Sequence, residues 1–349
     1  MTIPSSHAAD PPDRLLDRAA WFSLTREDPL EPDLRICDAH HHLWDHGPGK
    51  RYLLEEIAAD AAGGHNIVST IFCECRRAYR QDGPEELKPV GETEFMHALA
   101  ERSAQSGARA RIAHGIIGYA DFNLGARVAA TLEGHLAASP AHFRGIRHMT
   151  RWHEAAQEMD IPPRSPRNLM ADATWREGFA QLAPLGLSFD AWVYHPQLGD
   201  VIDLARAFPG TQIVLNHVGG PIGLGRYKSK RDEVFADWSG RIRELAACPN
   251  VHVKLGGLGM KMFGFDVHEG EIAPGSEQLA GLWRPYVETC IDAFGTKRAM
   301  FESNFPVDKG SYGYGVYWNT CKRLASGASA SEKADLFFGT ASRFYRLGL

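Results

Sequence analysis

The chain has 349 residues, 44% hydrophobic and 23% charged, enough apolar material to bury a large core and unlike a disordered segment. A net charge of -5 with no Lys/Arg run supplies no field for a polyanion, so nucleic acid is not an expected partner. Residues 1–22 lack a basic stretch followed by an apolar core, and no apolar run approaches the roughly 20 residues of a membrane span; a cytoplasmic protein without membrane contact is expected.

Residues 1–34 read as an N-terminal extension and 35–349 as a single domain. In that domain short β-rich runs alternate with helical patterns. The strand candidates are 35–40, 67–74, 110–118, 143–149, 187–195, 211–217, 250–256 and 298–305, and the helical patterns include 92–105, 124–138, 172–183, 199–208, 278–294 and 332–346. Parallel neighbours need helical crossovers, and eight strand-helix units close a sheet on itself. The predicted fold is therefore a (β/α)8 TIM barrel of the α/β class. An open doubly wound sheet is the alternative, but no Gly-x-Gly-x-x-Gly follows the first strand, which ends in histidines. The longest irregular stretches, 150–167, 218–230 and 257–275, follow strands and so belong to the catalytic face of a barrel.

Six cysteines without a C-x-x-C pair read as free thiols, and no function is assigned to them. The first strand ends in Asp38-Ala39-His40-His41-His42. Residues two apart share a strand face, so Asp38, His40 and His42 are expected to point one way and Ala39 and His41 the other. Two imidazoles at i and i+2 can bind one metal ion, although a bare His-x-His is as readily a solvated strand end. The fifth strand ends in His195 and the sixth in His217. Four histidines converging on one mouth favour a metal or catalytic reading.

These segments resemble a known family. Asp38-Ala39-His40-His41-His42-Leu43-Trp44, Phe143-Arg144-Gly145-Ile146-Arg147, His195-Pro196-Gln197, Val214-Leu215-Asn216-His217, Lys254-Leu255-Gly256-Gly257 and Ser303-Asn304-Phe305-Pro306 are similar to the amidohydrolase-2 branch of the amidohydrolase superfamily, nearest to its sugar-lactonase and pyrone-dicarboxylate lactonase group. The resemblance implies a barrel that hydrolyses a cyclic ester or, in sister groups, decarboxylates an aromatic acid. It also implies metal ligands drawn from His40, His42 and His195, with His217 a further candidate.

The sequence departs from that pattern where the family carries an aspartate after strand eight, because here the residue is Asn304. An amide is no general base near neutral pH. Glu302, on the same expected face, is the first replacement considered, and Asp308 on the following loop is the second. A bound zinc or manganese that activates water would lessen the need for either. Loss of catalysis, leaving a ligand-binding protein, is a further possibility.

Lys254 is expected inside the barrel, paired with Glu302 or Glu74 or holding substrate, and Glu74 is expected in the same network. The resemblance favours Arg147 as a substrate anchor, since a guanidinium matches a carboxylate with two parallel hydrogen bonds. Arg76, Arg77, Arg147, Arg151 and Lys254 at strand ends suggest an anionic substrate. Residues 256–265 and 310–318 combine glycines with apolar and aromatic residues, as a substrate lid would, or as a contact between subunits of a homo-oligomer would. The expected function is hydrolysis of a small anionic or polyhydroxylated lactone. A metal, or the histidines with Arg147 and Lys254 if none is bound, would polarise the carbonyl. Glu302 or Asp308 would assist water, and His195 or His217 would protonate the leaving alkoxide.

Overall fold

The protein, seen in a computed structural model, is described for residues 18–47, 49–156, 159 and 165–349. The first 17 residues of the extension and part of the 150–167 stretch lie outside the described residues.

Eight parallel strands form one sheet in sequential order: β1 (Arg35–His41), β2 (Asn66–Cys73), β3 (Arg111–Gly118), β4 (Phe143–Ile146), β5 (Ser188–Ala191), β6 (Ile213–Leu215), β7 (Val251–Leu255) and β8 (Ala299–Phe301). The sheet closes just past β8, where Asn304 N–H donates to His40 O at 2.9 Å and His42 N–H to Phe305 O at 2.7 Å. One helix follows each strand: α1 (Leu54–Ala61), α2 (Val90–Gln105), α3 (Ala129–Ala138), α4 (Ala173–Phe179), α5 (Leu198–Ala207), α6 (Arg231–Ala246), α7 (Ser276–Phe294) and α8 (Tyr314–Leu324). This is the (β/α)8 barrel that the alternation of patterns predicts. No described helix is long and apolar enough to cross a membrane.

The outer faces of the strands and the inner faces of the helices share one large apolar core. A second, smaller cluster fills the barrel floor, where Cys37, Ala39, Ile71, Cys73, Ile117, Val214 and Met300 meet Ala341, Phe344, Tyr345 and Leu347 from the C-terminal end. The predicted helix over 332–346 is thus three short pieces, α9 (Ala330–Ala334), a π-helical turn Asp335–Gly339 and α10 (Thr340–Phe344), bent to close the floor. The described part of the extension packs against the barrel. Glu27 Oε1 accepts the Ser276 N–H at 2.7 Å, capping the start of α7 from a residue about 250 positions away.

Two expectations change. The segment 310–318 is no lid, because its second half opens α8 and Tyr312, Tyr314, Tyr317 and Trp318 are all buried. Aromatic residues spaced along a helix face found a core before they could serve as a rim. Of 256–265, Gly256–Met260 is likewise buried, and Gly264 packs so tightly on Gly223 that a Cβ there would meet the Gly223 oxygen at 2.4 Å. The second change concerns β1. Asp38 pairs with Thr70 and His41 with Phe72, so three steps along β1 oppose two along β2. This bulge inserts one residue and reverses the alternation. Ala39 therefore joins the interior floor, whereas Asp38 turns to the seam with β8, accepting from Ser303 Oγ at 2.6 Å and Tyr314 OH at 2.9 Å.

Candidate active site

Beyond the bulge, His40 and His42 both project into the mouth, with their Nε2 atoms 3.2 Å apart. His42 Nδ1 lies 2.7 Å from the Cys73 carbonyl, which can only accept, so the proton sits there and the His42 Nε2 lone pair faces His40. His41 points the other way, as expected, and receives the Thr70 hydroxyl at 2.7 Å. Trp44 stacks on the outer face of His42 with ring centroids 5.7 Å apart.

Glu302, from the end of β8, is fully buried and reaches two imidazoles. Its Oε1 accepts from His217 Nδ1 at 2.7 Å and from the His217 backbone N–H at 2.9 Å. Its Oε2 is 2.9 Å from His40 Nδ1 but poorly aligned, so that oxygen lacks a well-directed donor. His217 holds this position at φ +53, and a Cβ on the facing Gly257 would lie 2.4 Å from its Nδ1. Only glycine fits there. Trp192 meets the His217 ring edge-on, with centroids 4.7 Å apart.

Two buried ion pairs flank the histidines. Arg147 Nε donates to Glu74 Oε1 at 2.8 Å, and Arg147 Nη1 is 3.3 Å from His40 Nε2. Lys254 Nζ donates to Asp190 Oδ2 at 2.6 Å and lies 3.3 Å from His40 Nδ1, with the Tyr345 hydroxyl 3.3 Å from the same carboxylate. Lys254 lies inside the barrel as expected, and its carboxylate partner is Asp190 in place of Glu302 or Glu74. Asp190 was missed, although its signal was present as a lone charge between Phe189 and Ala191 on an interior strand.

Burial sets the protonation states. It pulls His40 and His42 well below the ordinary imidazole value, helped at His40 by Lys254 and at His42 by Arg147. Burial also lowers His217, against the upward push of the adjacent Glu302 carboxylate. All three are neutral near pH 7, the form that binds metal or accepts a proton.

The remaining predicted residues sit elsewhere on the mouth. Asn304, at φ +55, turns its amide to Asp308 Oδ1 at 2.9 Å, while Asp308 Oδ2 accepts from the Tyr312 hydroxyl and from Gly259 N–H at 3.0 Å. Asp308 thus ties the loop after β7 to the loop after β8, and burial raises it to about 7. His195 accepts the Ile222 N–H at 3.2 Å and packs edge-on against Tyr227. Like His42, it belongs to none of the three-ligand clusters among the described residues, which at the mouth join His40 to His217 and Glu302 and to Cys73 and Asp190.

The His40–His42 pair fits a divalent cation. Tetrahedral nitrogens about 2.0–2.1 Å from zinc lie roughly 3.3 Å apart, close to the spacing of the two Nε2 atoms. In the tautomer with His40 Nδ1–H toward Glu302, both lone pairs converge. Glu74 and Asp190 pair with Arg147 and Lys254, whereas buried Glu302 faces only imidazoles among the described residues. Cys73 lies near His40 and Asp190, where its sulfur could join a cation held there, although burial by itself raises its thiol.

This geometry has relatives. The Amidohydro_2 family model, described as amidohydrolase, matches residues 37–347. The uncharacterized protein y4mH of Sinorhizobium fredii is 34% identical over 90% of this chain and 99% of its own length. The L-fucono-1,5-lactonase of Burkholderia multivorans is 28% identical over 90% of this chain and 96% of its own. Among solved structures, a zinc-bound amidohydrolase from Burkholderia multivorans is similar with a TM-score of 0.69 and 26% identity, covering 89% of this chain and 99% of that one.

Proposed function

The chain belongs to the amidohydrolase family and is a hydrolase of that superfamily, and from this premise we propose that it opens a small lactone by water attack at the His40–His42–His217–Glu302 cluster. The observation that carries the reading is the bridge made by Glu302, which backs one imidazole of the convergent pair and orients a third imidazole beside it. The L-fucono-1,5-lactonase relative supports a sugar-type lactone, and the zinc-bound relative supports a bound metal.

His40 and His42 would hold zinc or manganese, and when bound the cation supplies Lewis-acid polarisation of the lactone carbonyl. Glu302 fixes the His217 proton on Nδ1 and leaves Nε2 unprotonated. Neutral His217 accepts a proton from the attacking water as oxygen bonds to the carbonyl carbon. The ring C–O bond then breaks, and His217 returns the proton to the alkoxide. Glu302 stabilises the imidazolium between the two transfers. Arg147 and Lys254, paired with Glu74 and Asp190, orient and electrostatically tune His40. Asn304 and Asp308 brace the mouth. In this reading the missing strand-eight aspartate is no loss of catalysis, because Glu302 and His217 supply the proton route.

The test uses purified, untagged protein against a panel of aldono-1,5- and 1,4-lactones, following proton release, with elemental analysis alongside. Ring opening is expected, with about one zinc or manganese per chain that is lost in His40→Ala/His42→Ala. Carbon dioxide release from aromatic acids without lactone opening would replace this reading with a decarboxylase, and binding without turnover of any lactone would replace it with a ligand-binding protein.

A further inference from the structure

The face of the barrel opposite the mouth carries a second group of metal-binding side chains. His97 and Glu101 stand one turn apart on the same side of α2, and His142 immediately precedes β4. The start of a strand lies at the floor end of the barrel, whereas His40, His217 and Glu302 lie at strand C-terminal ends, so the two groups occupy opposite faces. One ligand atom from each of His97, Glu101 and His142 lies within 4.8 Å of the other two.

The surroundings fix both imidazoles. In the turn after α3, His142 N–H donates to Ser139 O at 3.2 Å and Phe143 N–H to the same oxygen at 2.8 Å, which sets Ser139 beside His142. The buried Ser139 hydroxyl lies 3.1 Å from His97 Nδ1, and the His114 carbonyl lies 3.1 Å from His142 Nδ1. With each Nδ1 occupied by a protein oxygen, Nε2 is left as the ligand atom, the way metal-binding imidazoles are oriented from behind. The two ring centroids are 5.7 Å apart.

The His142–Glu101 contact calls for a cation. A carbonyl only accepts, so His142 carries a proton on Nδ1, and the Nε2 lone pair of the neutral ring faces Glu101 Oε1 at 3.1 Å. Two acceptors at that distance repel unless a second ring proton or a metal ion lies between them. A proton would account for His142 and Glu101 alone and would leave the His97 ring pressed against an imidazolium. A metal ion accounts for all three. Among the described residues Glu101 has no Lys or Arg partner, and Arg144, two residues beyond His142, donates to the Phe143 and Ala141 carbonyls.

We propose that His97, Glu101 and His142 form a second metal site, taking a divalent transition ion of the zinc class and tying α2 to the start of β4 across β3. Two imidazoles and one carboxylate are a zinc donor set, with water in the fourth position. The His142 side chain is 11% exposed and that of Glu101 46%, so the water enters from the Glu101 side and the ion exchanges with solvent. It is therefore counted by titration, apart from any ion retained at the mouth.

Chelator-treated, untagged full-length protein is titrated calorimetrically with zinc chloride in wild type, His97→Gln, Glu101→Gln, Glu101→His and His40→Ala/His42→Ala. Wild type is expected to bind about one more zinc per chain than His97→Gln or Glu101→Gln, with a Kd below about 10 μM. Glu101→His, which replaces one ligand with another, is expected to keep that equivalent, a result that a merely structural Glu101 would not give. The same equivalent should persist in His40→Ala/His42→Ala, so loss of the mouth site and loss of the floor site are read separately. Equal zinc counts in wild type and His97→Gln, or a Kd weaker than about 10 μM, would show adventitious binding only and overturn the site. His97→Gln and Glu101→Gln should melt within about 2 °C of wild type in chelator, whereas zinc should raise the melting temperature of His40→Ala/His42→Ala and lose that effect once His97→Gln is added. If the mouth variant does not fold, the difference in zinc count between wild type and His97→Gln decides by itself.

Discussion

His217 Nδ1 donates to Glu302 Oε1 at 2.7 Å, and the same carboxylate approaches His40 Nδ1 at 2.9 Å through its other oxygen. Glu302→Gln keeps the shape but removes the charge that stabilises a protonated His217. The expected result is a fall in kcat of about 10²-fold or more with a smaller change in KM. Steady-state kinetics with circular dichroism as a fold control checks this, and near-wild-type kcat would remove the dyad from the mechanism.

Asn304→Asp restores the residue that the family pattern carries, yet activity is expected not to rise. The new carboxylate would replace a donor 2.9 Å from Asp308 Oδ1 with a like charge in a buried site. One of the two must take up a proton, and stability should drop by about 3 kcal/mol. Urea unfolding measures the cost, and a gain in both activity and stability would refute the assignment of Asn304 to bracing.

Lys254 and Asp190 are both fully buried and 2.6 Å apart. Removing one partner strands the other charge, so Lys254→Met should cost about 3–5 kcal/mol, while Lys254→Met/Asp190→Leu should recover much of that. The double-mutant cycle in denaturant midpoints tests it. Activity should stay low even in the double variant, because His40 would lose the Lys254 Nζ at 3.3 Å from its Nδ1.

Burial holds His41 at about 3, far below the ordinary value of 6.5. Between those values the unfolded chain binds the proton that the folded chain refuses, so the contribution to stability is complete above about pH 6.5 and is lost as pH falls toward 3. Asp308 and Asp38 act oppositely. Burial raises them to about 7 and about 6, so their contribution is full below about pH 4 and disappears as pH rises through those values. His41→Asn, which still accepts from Thr70, is expected to lose less stability than wild type between about pH 7.5 and pH 5. An unchanged pH slope in urea midpoints would place the proton uptake elsewhere.

All eight strands, and the histidines at their ends, were legible because apolar runs and their spacing are properties of neighbouring residues. Glu302 as the carboxylate nearest the histidines was legible for the same reason, since it lies two residues before Asn304 on one strand end. The facing of Asp38 was not. A one-residue bulge between β1 and β2 reverses the alternation, and nothing local to Asp38-Ala39-His40 signals it. Tertiary structure also chose the partners. Lys254 meets Asp190 across 64 positions, Arg147 meets Glu74 across 73, and Asn304 turns away from the histidines to Asp308. The sequence by itself determined the strand ends that carry His40, His42, His217 and Glu302. Which of them touch was decided only when register and closure brought distant strand ends together, because a buried charge takes the opposite charge that the fold places within hydrogen-bond reach.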